Sequence, residues 1–175
     1  MEVPERLKRQ LEFALEIDKE KNIFRQTHLS GHGRNENDAE HAWHMAIMAY
    51  LLREYANEEV DISRVMIMCL IHDIVEIDAG DTYAYDAAGL ATQKEREDAA
   101  KERIFSLLPE DQKQELISLF DEFEACESAE SRFAHASQIA GQRSGEPSST
   151  RMASQSVNDC CTMLWRHRSS DFSTQ

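Results

Sequence analysis

The run VMIMCLIHDIVEI, residues 65–77, constrains this chain more than any other segment. It is apolar nearly all round, and a helix of that kind is buried against neighbours on most sides. Its purely apolar part, Val65 to Ile71, is far shorter than the roughly 20 residues a bilayer crossing needs. The pattern therefore predicts a central helix over about 65–77 inside an all-α bundle. Six Gly and three Pro in 175 residues favour long helices over many turns. The length suits one domain with a real core.

Helical spacing can be read on both sides of that run. Leu7, Leu11, Phe13, Leu15 and Ile17 alternate with charges over about 5–19 and predict an amphipathic helix. Residues 24–34, FRQTHLSGHGR, read as a loop from their Gly and Ser. Asn37 or Asp38 is placed to cap the next helix, which carries His41 in its first turn and ends near Tyr55. Asp61 or Ser63 caps the central helix. An irregular loop is expected over 78–91, then a charged helix over 92–108, a helix opened by Pro109, and a short helix over about 129–136.

Two polar residues in the middle of the apolar run, His72 and Asp73, need a reason to be there, since buried polar groups find partners. Adjacent helix positions point about 100° apart, so both side chains can approach one ion from neighbouring directions. His41 can face His72 if its helix packs antiparallel on the central one. Two imidazoles and a carboxylate suit a divalent ion such as manganese, cobalt, iron or zinc, with magnesium the harder alternative. Three protein ligands leave positions open for water and substrate. Glu76 shares the helix face of His72 and Asp73 and is a candidate general acid or base. Asp81 follows in the loop, placed to orient water or protonate a leaving group. The plainer alternative is a satisfied core pair with no ion. By the same weighing, His44 reads as a surface or supporting residue, His28 and His32 as solvated, and Met45, Met48, Met66 and Met68 as core filling.

The formal net charge of −14 argues against nucleic-acid polymers, whose phosphates need a basic surface. It leaves room for a small phosphorylated ligand, because a bound cation inverts the local field. The four cysteines are Cys69, Cys126, Cys160 and Cys161, and their spacing is neither a disulfide framework nor a zinc ribbon. With no signal-like N-terminus and no membrane span, a reducing cytoplasmic setting is the expectation.

The segments RNENDAEHAW (34–43), IHDIVE (71–76) and Gly80-Asp81, in this order and spacing, resemble the HD-domain phosphohydrolases. The likeness is strongest to the branch with bacterial 5'-deoxynucleotidases and covers roughly residues 5–136. It implies an all-α fold around the helix bearing the His-Asp pair. It also implies a divalent metal held by His41, His72, Asp73 and a later Asp, and hydrolysis of a nucleoside 5'-monophosphate or similar small phosphomonoester by metal-activated water. Glu76 matches the family's catalytic Glu, Asp81 its supporting Asp, and Arg25 its phosphate-contacting Arg, whose guanidinium can clamp phosphate oxygens bidentately. A homodimer is implied as well. The alternatives are a non-catalytic metal- or nucleotide-binding module and an HD-type phosphodiesterase.

Two positions depart from the family pattern. Gln26 stands where the deoxynucleotidases carry a Trp. Gln138 stands where the late-helix Asp ligand is expected, after Arg132-Phe133-Ala134-His135-Ala136. The composition changes at the same place: residues 137–175 hold nine Ser, four Arg, three acids and no Lys. The expected organisation is an HD domain over 1–136 and an atypical Ser-rich tail over 137–175, weakly structured or the product of a shifted reading frame.

Overall fold

The computed structural model describes residues 3–28, 33–80 and 87–144. Among the described residues, seven α-helices and a two-stranded ribbon make up the fold, in the order α1 (Glu5–Ile17), β1 (Phe24–His28), β2 (Asn35–Asn37), α2 (Asp38–Leu52), α3 (Ile62–Ile71), α4 (Glu76–Ala79), α5 (Ala87–Phe105), α6 (Glu110–Ala125) and α7 (Ala129–Ser144). Short 3-10 turns follow α1 at Asp18–Asn22 and α2 at Arg53–Tyr55. The all-α class holds. No helix among the described residues is long and apolar enough to cross a membrane.

Helix α3 is the centre, packed against α2, α6 and α7. Val65, Met68 and Cys69 from α3 meet Met45 and Ala49 from α2, Phe120 and Phe123 from α6, and Phe133 and Ala134 from α7 in one cluster, extended by Ile104 and Phe105 of α5. Burying side chains of this size at roughly 1.5–3 kcal/mol each holds the bundle together. Met45 and Met68 are core residues, as their spacing suggests. Helix α3 is covered less completely than its composition implies, for Ile67 and Leu70 stay exposed on one side. Likewise α1 buries Phe13 but leaves Leu7, Leu11 and Leu15 open.

Four elements differ from the sequence expectation. The expected helix over 65–77 stops at Ile71. From there the hydrogen bonds tighten from i−4 (His72 N to Met68 O, 3.1 Å) to i−3 (Glu76 N to Asp73 O, 2.9 Å), and the chain turns into α4. Gly80 ends α4 at φ 74°, a conformation that strains any L side chain. Secondly, part of the expected 24–34 loop is β1, which pairs antiparallel with β2 through Phe24↔Asn37 and His28↔Asn35, with an irregularity between. Extended β-forming residues there outweigh the local Gly and Ser. Thirdly, α7 runs on to Ser144, eight residues beyond Ala136, because Phe133, Ala134, Ala136 and Ser137 are buried and carry the helix along the core. The helix expected from residue 92 begins at Ala87.

Candidate metal centre

The site forms where the first turn of α2 meets the end of α3. Asn37 caps α2 through a capping box: its side chain accepts from Glu40 N at 2.9 Å, and the Glu40 carboxylate accepts from Asn37 N at 3.3 Å. This fixes the turn on which His41 sits. Asp38, the other capping candidate, is thereby left for a different task.

His41, His72 and Asp73 come together, each offering one ligand atom within 4.8 Å of the others, and all three are buried. The two imidazole rings lie 5.6 Å apart, centroid to centroid. Each ring has its Nδ1 committed and its Nε2 bare. His72 Nδ1 donates to the Cys69 carbonyl at 2.9 Å. His41 Nδ1 lies 3.4 Å from Glu36 Oε2. Neither Nε2 has a hydrogen-bond partner. A proton held on Nδ1 leaves the Nε2 lone pair for an ion, the arrangement by which ligating histidines are oriented. Phe123 supports the His72 ring at 5.0 Å, and His135 stacks on Phe123 at 4.1 Å.

Beside this trio lies a cluster of acids with one cation. Arg25 Nη1 donates to Asp38 Oδ1 at 3.1 Å and also to Asp73 Oδ2. The carboxyls of Asp38 and Glu76 lie close enough to shift each other's protonation. Glu20, from the turn after α1, is 6% exposed and feels Asp73 and Asp38. Among the described residues, the buried side-chain atoms without a partner are Glu20 Oε1, Asp38 Oδ2, His41 Nε2, His72 Nε2 and Glu76 Oε2. All of them belong to this one place. Leaving a buried polar atom unpaired costs about 1–3 kcal/mol, so such a concentration marks a region shaped to receive something polar. The donor set of the trio fits a divalent cation.

Burial is the first cause of most protonation shifts here. It pulls the His41 imidazole down to about 3, helped by Arg25, so the ring is neutral and able to ligate. It pushes Glu76 up to about 10, Glu20 to about 7 and Asp38 to about 6, with Asp73 adding to each. For Asp73 burial opposes ionisation, but His72 and Arg25 overcome it and hold the carboxyl well below the usual carboxylate range. For His72 burial lowers the affinity for a proton, and the adjacent Asp73 outweighs it.

The structure thus gathers His41, His72, Asp73, Glu76 and Arg25 in one place. Asp81 lies outside the described residues. Gln138 sits half-buried on α7, and α7 contributes no carboxylate to the ligand group among the described residues. Sequence reasoning passed over Asp38, Glu36 and Glu20. The signal for Asp38 was its position three residues before His41, on the same helix face. Glu20 lies in the charged run DKEK and carries no comparable signal.

Known proteins resemble this chain in sequence and fold. Residues 17–140 match the HD domain family. Human 5'-deoxynucleotidase HDDC2 is 33% identical over 100 residues, which are 57% of this chain and 48% of the human protein. The bovine protein of the same name is 33% identical over 98 residues. The match therefore spans about half the length of these curated relatives. A crystal structure of a predicted metal-dependent phosphohydrolase from Magnetospirillum magnetotacticum MS-1 is 46% identical, covers 90% of this chain and 84% of its own, and superposes with a TM-score of 0.75. A conserved hypothetical protein from Pyrococcus furiosus, 21% identical with a TM-score of 0.58 over 88% of this chain and 98% of its own, shares the fold. With the family matched over most of its length and the His-His-Asp trio assembled at the helix junction, this chain belongs to the HD domain family.

Proposed function

We propose that this chain is a metal-dependent phosphomonoesterase with nucleoside 5'-monophosphates as its substrate class. The observation that carries the reading is the convergence of His41 Nε2, His72 Nε2 and the Asp73 carboxylate, with both Nδ1 atoms engaged elsewhere. His41, His72 and Asp73 would hold the ion; manganese, cobalt, iron and zinc suit this set, and magnesium is the remaining candidate. When bound, the divalent ion supplies Lewis-acid chemistry, acidifying water and polarising a phosphoryl oxygen.

The chain's own residues do the rest. Arg25, anchored through Nη1, turns the other edge of its guanidinium to the phosphoryl oxygens and orients them. Water attacks phosphorus and gives up one proton as its oxygen bonds, the bond from phosphorus to the ester oxygen breaks, and the departing oxygen takes a proton from an acid that the water's proton then restores. Glu76, whose carboxyl keeps its proton in this buried setting, is placed to give it. Asp81, next after Gly80, is assigned the supporting role. The products are a nucleoside and inorganic phosphate. The similarity to proteins named 5'-deoxynucleotidase supports the nucleotide class.

The test is phosphate release from a panel of nucleoside 5'-monophosphates by metal-stripped protein reloaded with each ion. Metal-dependent release that falls by about three orders of magnitude or more in His72→Ala and Asp73→Ala supports the reading. Equal turnover in those variants refutes it. A second reading, a metal- or nucleotide-binding module without catalysis, is favoured by one observation: Gln138 offers a neutral oxygen where a carboxylate ligand is expected. It predicts nucleotide binding by calorimetry with no turnover under any ion.

A further inference from the structure

Asp38 has no part in the reaction as drawn above, yet it is the most enclosed acid among the described residues, with no solvent exposure. The helix start does not explain it, because Asn37 provides the cap. An acid cut off from water has to be matched by a nearby group, and Asp38 faces two. Its Oδ1 accepts from Arg25 Nη1 at 3.1 Å, and the Glu76 carboxyl lies close by.

The main chain around Arg25 is tied to the same place. Asn35 Nδ2 donates to the Arg25 carbonyl at 2.8 Å, and Asp38 N donates to the Ile23 carbonyl at 3.1 Å. Arg25 is therefore gripped at its backbone by β2 and at its guanidinium by α2. Its other carboxylate contact, Asp73, is one of the residues assigned to the ion. Asp38 is not among the three residues assigned to the ion.

We propose that Asp38 is a positioning residue that sets the Arg25 guanidinium at a fixed place one helical turn before His41, so that the fork is preorganised for a phosphoryl group. Arginine is a long side chain with many rotamers, and holding it in its working orientation before substrate arrives lowers the entropy lost on binding. Asp38 touches no substrate and acts through Arg25. The proposal rests on the phosphohydrolase reading, since that reading gives Arg25 its phosphate.

The experiment compares wild type, Asp38→Asn, Asp38→Ala, Arg25→Ala and the Arg25→Ala/Asp38→Ala double variant. Metal content and melting temperature are checked for each, KM and kcat are measured on a nucleoside 5'-monophosphate, and inorganic phosphate affinity is measured by calorimetry with manganese present. Asp38→Ala is expected to raise KM and weaken phosphate binding about tenfold, with kcat moved less, and to add under about twofold when Arg25 is already Ala. Asp38→Asn keeps the shape and one acceptor and is expected to show about a third of the effect on a logarithmic scale, again only while Arg25 is present. If Asp38→Ala does not fold, the Asn variant carries the same comparison. Wild-type KM and phosphate affinity in the Asp38 variants, or a loss that adds in full on top of Arg25→Ala, overturns the proposal. A wild-type protein that neither turns over nor binds inorganic phosphate overturns the phosphohydrolase reading itself, and this proposal with it.

Discussion

His72 Nε2 lies 3.0 Å from Oδ2 of Asp73, its neighbour in sequence. His72 donates its Nδ1 proton to the Cys69 carbonyl, so in the neutral ring Nε2 presents a lone pair to the Asp73 carboxylate, whose Oδ2 also accepts from Arg25 Nη1. Atoms this close are held together by a cation between them, a proton on Nε2 or a metal ion in its place. Ligand atoms about 2.0–2.2 Å from one ion lie roughly 3.0–3.4 Å apart for adjacent positions. The tightened turn after Ile71 is what sets neighbouring residues at this spacing.

This geometry makes metal binding measurable apart from activity. Manganese added to metal-stripped wild type is expected to raise the melting temperature in proportion to the logarithm of its concentration, worth about 2.7 kcal/mol at a hundred times Kd. His72→Ala and Asp73→Asn are expected to lose that response and to retain under a tenth of the bound metal by elemental analysis, while still melting cooperatively. A full thermal response in either variant rules out the His-His-Asp trio as the binding set.

Glu36 is expected to tune His41. Its Oε2 lies 3.4 Å from His41 Nδ1 and fixes which nitrogen keeps the proton. Glu36→Ala is expected to weaken metal affinity about 10–100-fold, the range seen when the partner of a ligating histidine is removed. Calorimetric titration with manganese reads this directly, and an unchanged Kd would show that the capping box alone orients the ring.

Much of the site was readable in the sequence because its chemistry is local. His72 and Asp73 stand out as polar residues in an apolar run, Glu76 follows at helical spacing, and His41 opens the preceding helix. Arg25 came from family resemblance alone, since nothing in FRQTHLSGHGR distinguishes one arginine. What stayed hidden depends on tertiary packing. Glu20 is one of several charges in a polar run, and only the path of the turn after α1 carries it into the interior beside Asp73 and Asp38. The β1–β2 ribbon was masked by Gly and Ser nearby, and the end of the central helix at Ile71 by a composition that stays apolar through Ile77. The length of α7 was underestimated because the change in composition at Ser137 is not a change in burial: Ser137 itself is buried, its hydroxyl bonded to the Phe133 carbonyl at 3.1 Å.

Phe123 connects stability to the site. It is buried between His72 and His135. Phe123→Ala is expected to cost about 3–5 kcal/mol in urea unfolding. Phe123→Leu keeps most of the volume and is expected to cost under about 2 kcal/mol, yet still to weaken manganese binding severalfold because the His72 ring loses its flat support. A Leu variant with wild-type metal affinity would assign Phe123 to packing alone.

Glu20 gives the protein a pH dependence of definite sign. Burial, with Asp73 and Asp38 adding, raises its carboxyl from 4.5 to about 7. The folded protein therefore keeps a proton that the unfolded chain has already released, and the associated stability is fully present below about pH 4.5 and lost as pH rises through about 7. Glutamine imitates the protonated acid at every pH. In metal-stripped protein, Glu20→Gln and wild type should unfold at nearly the same urea concentration near pH 4.5. By pH 8 the variant should be the more stable one, by at most about 3 kcal/mol. His41 and Asp38 titrate in both proteins, so the difference between the two curves isolates Glu20. Loading manganese should narrow the gap, because a nearby cation favours the ionised carboxylate. Curves that stay parallel from pH 5 to pH 8 would place Glu20 outside the electrostatic reach of the metal centre.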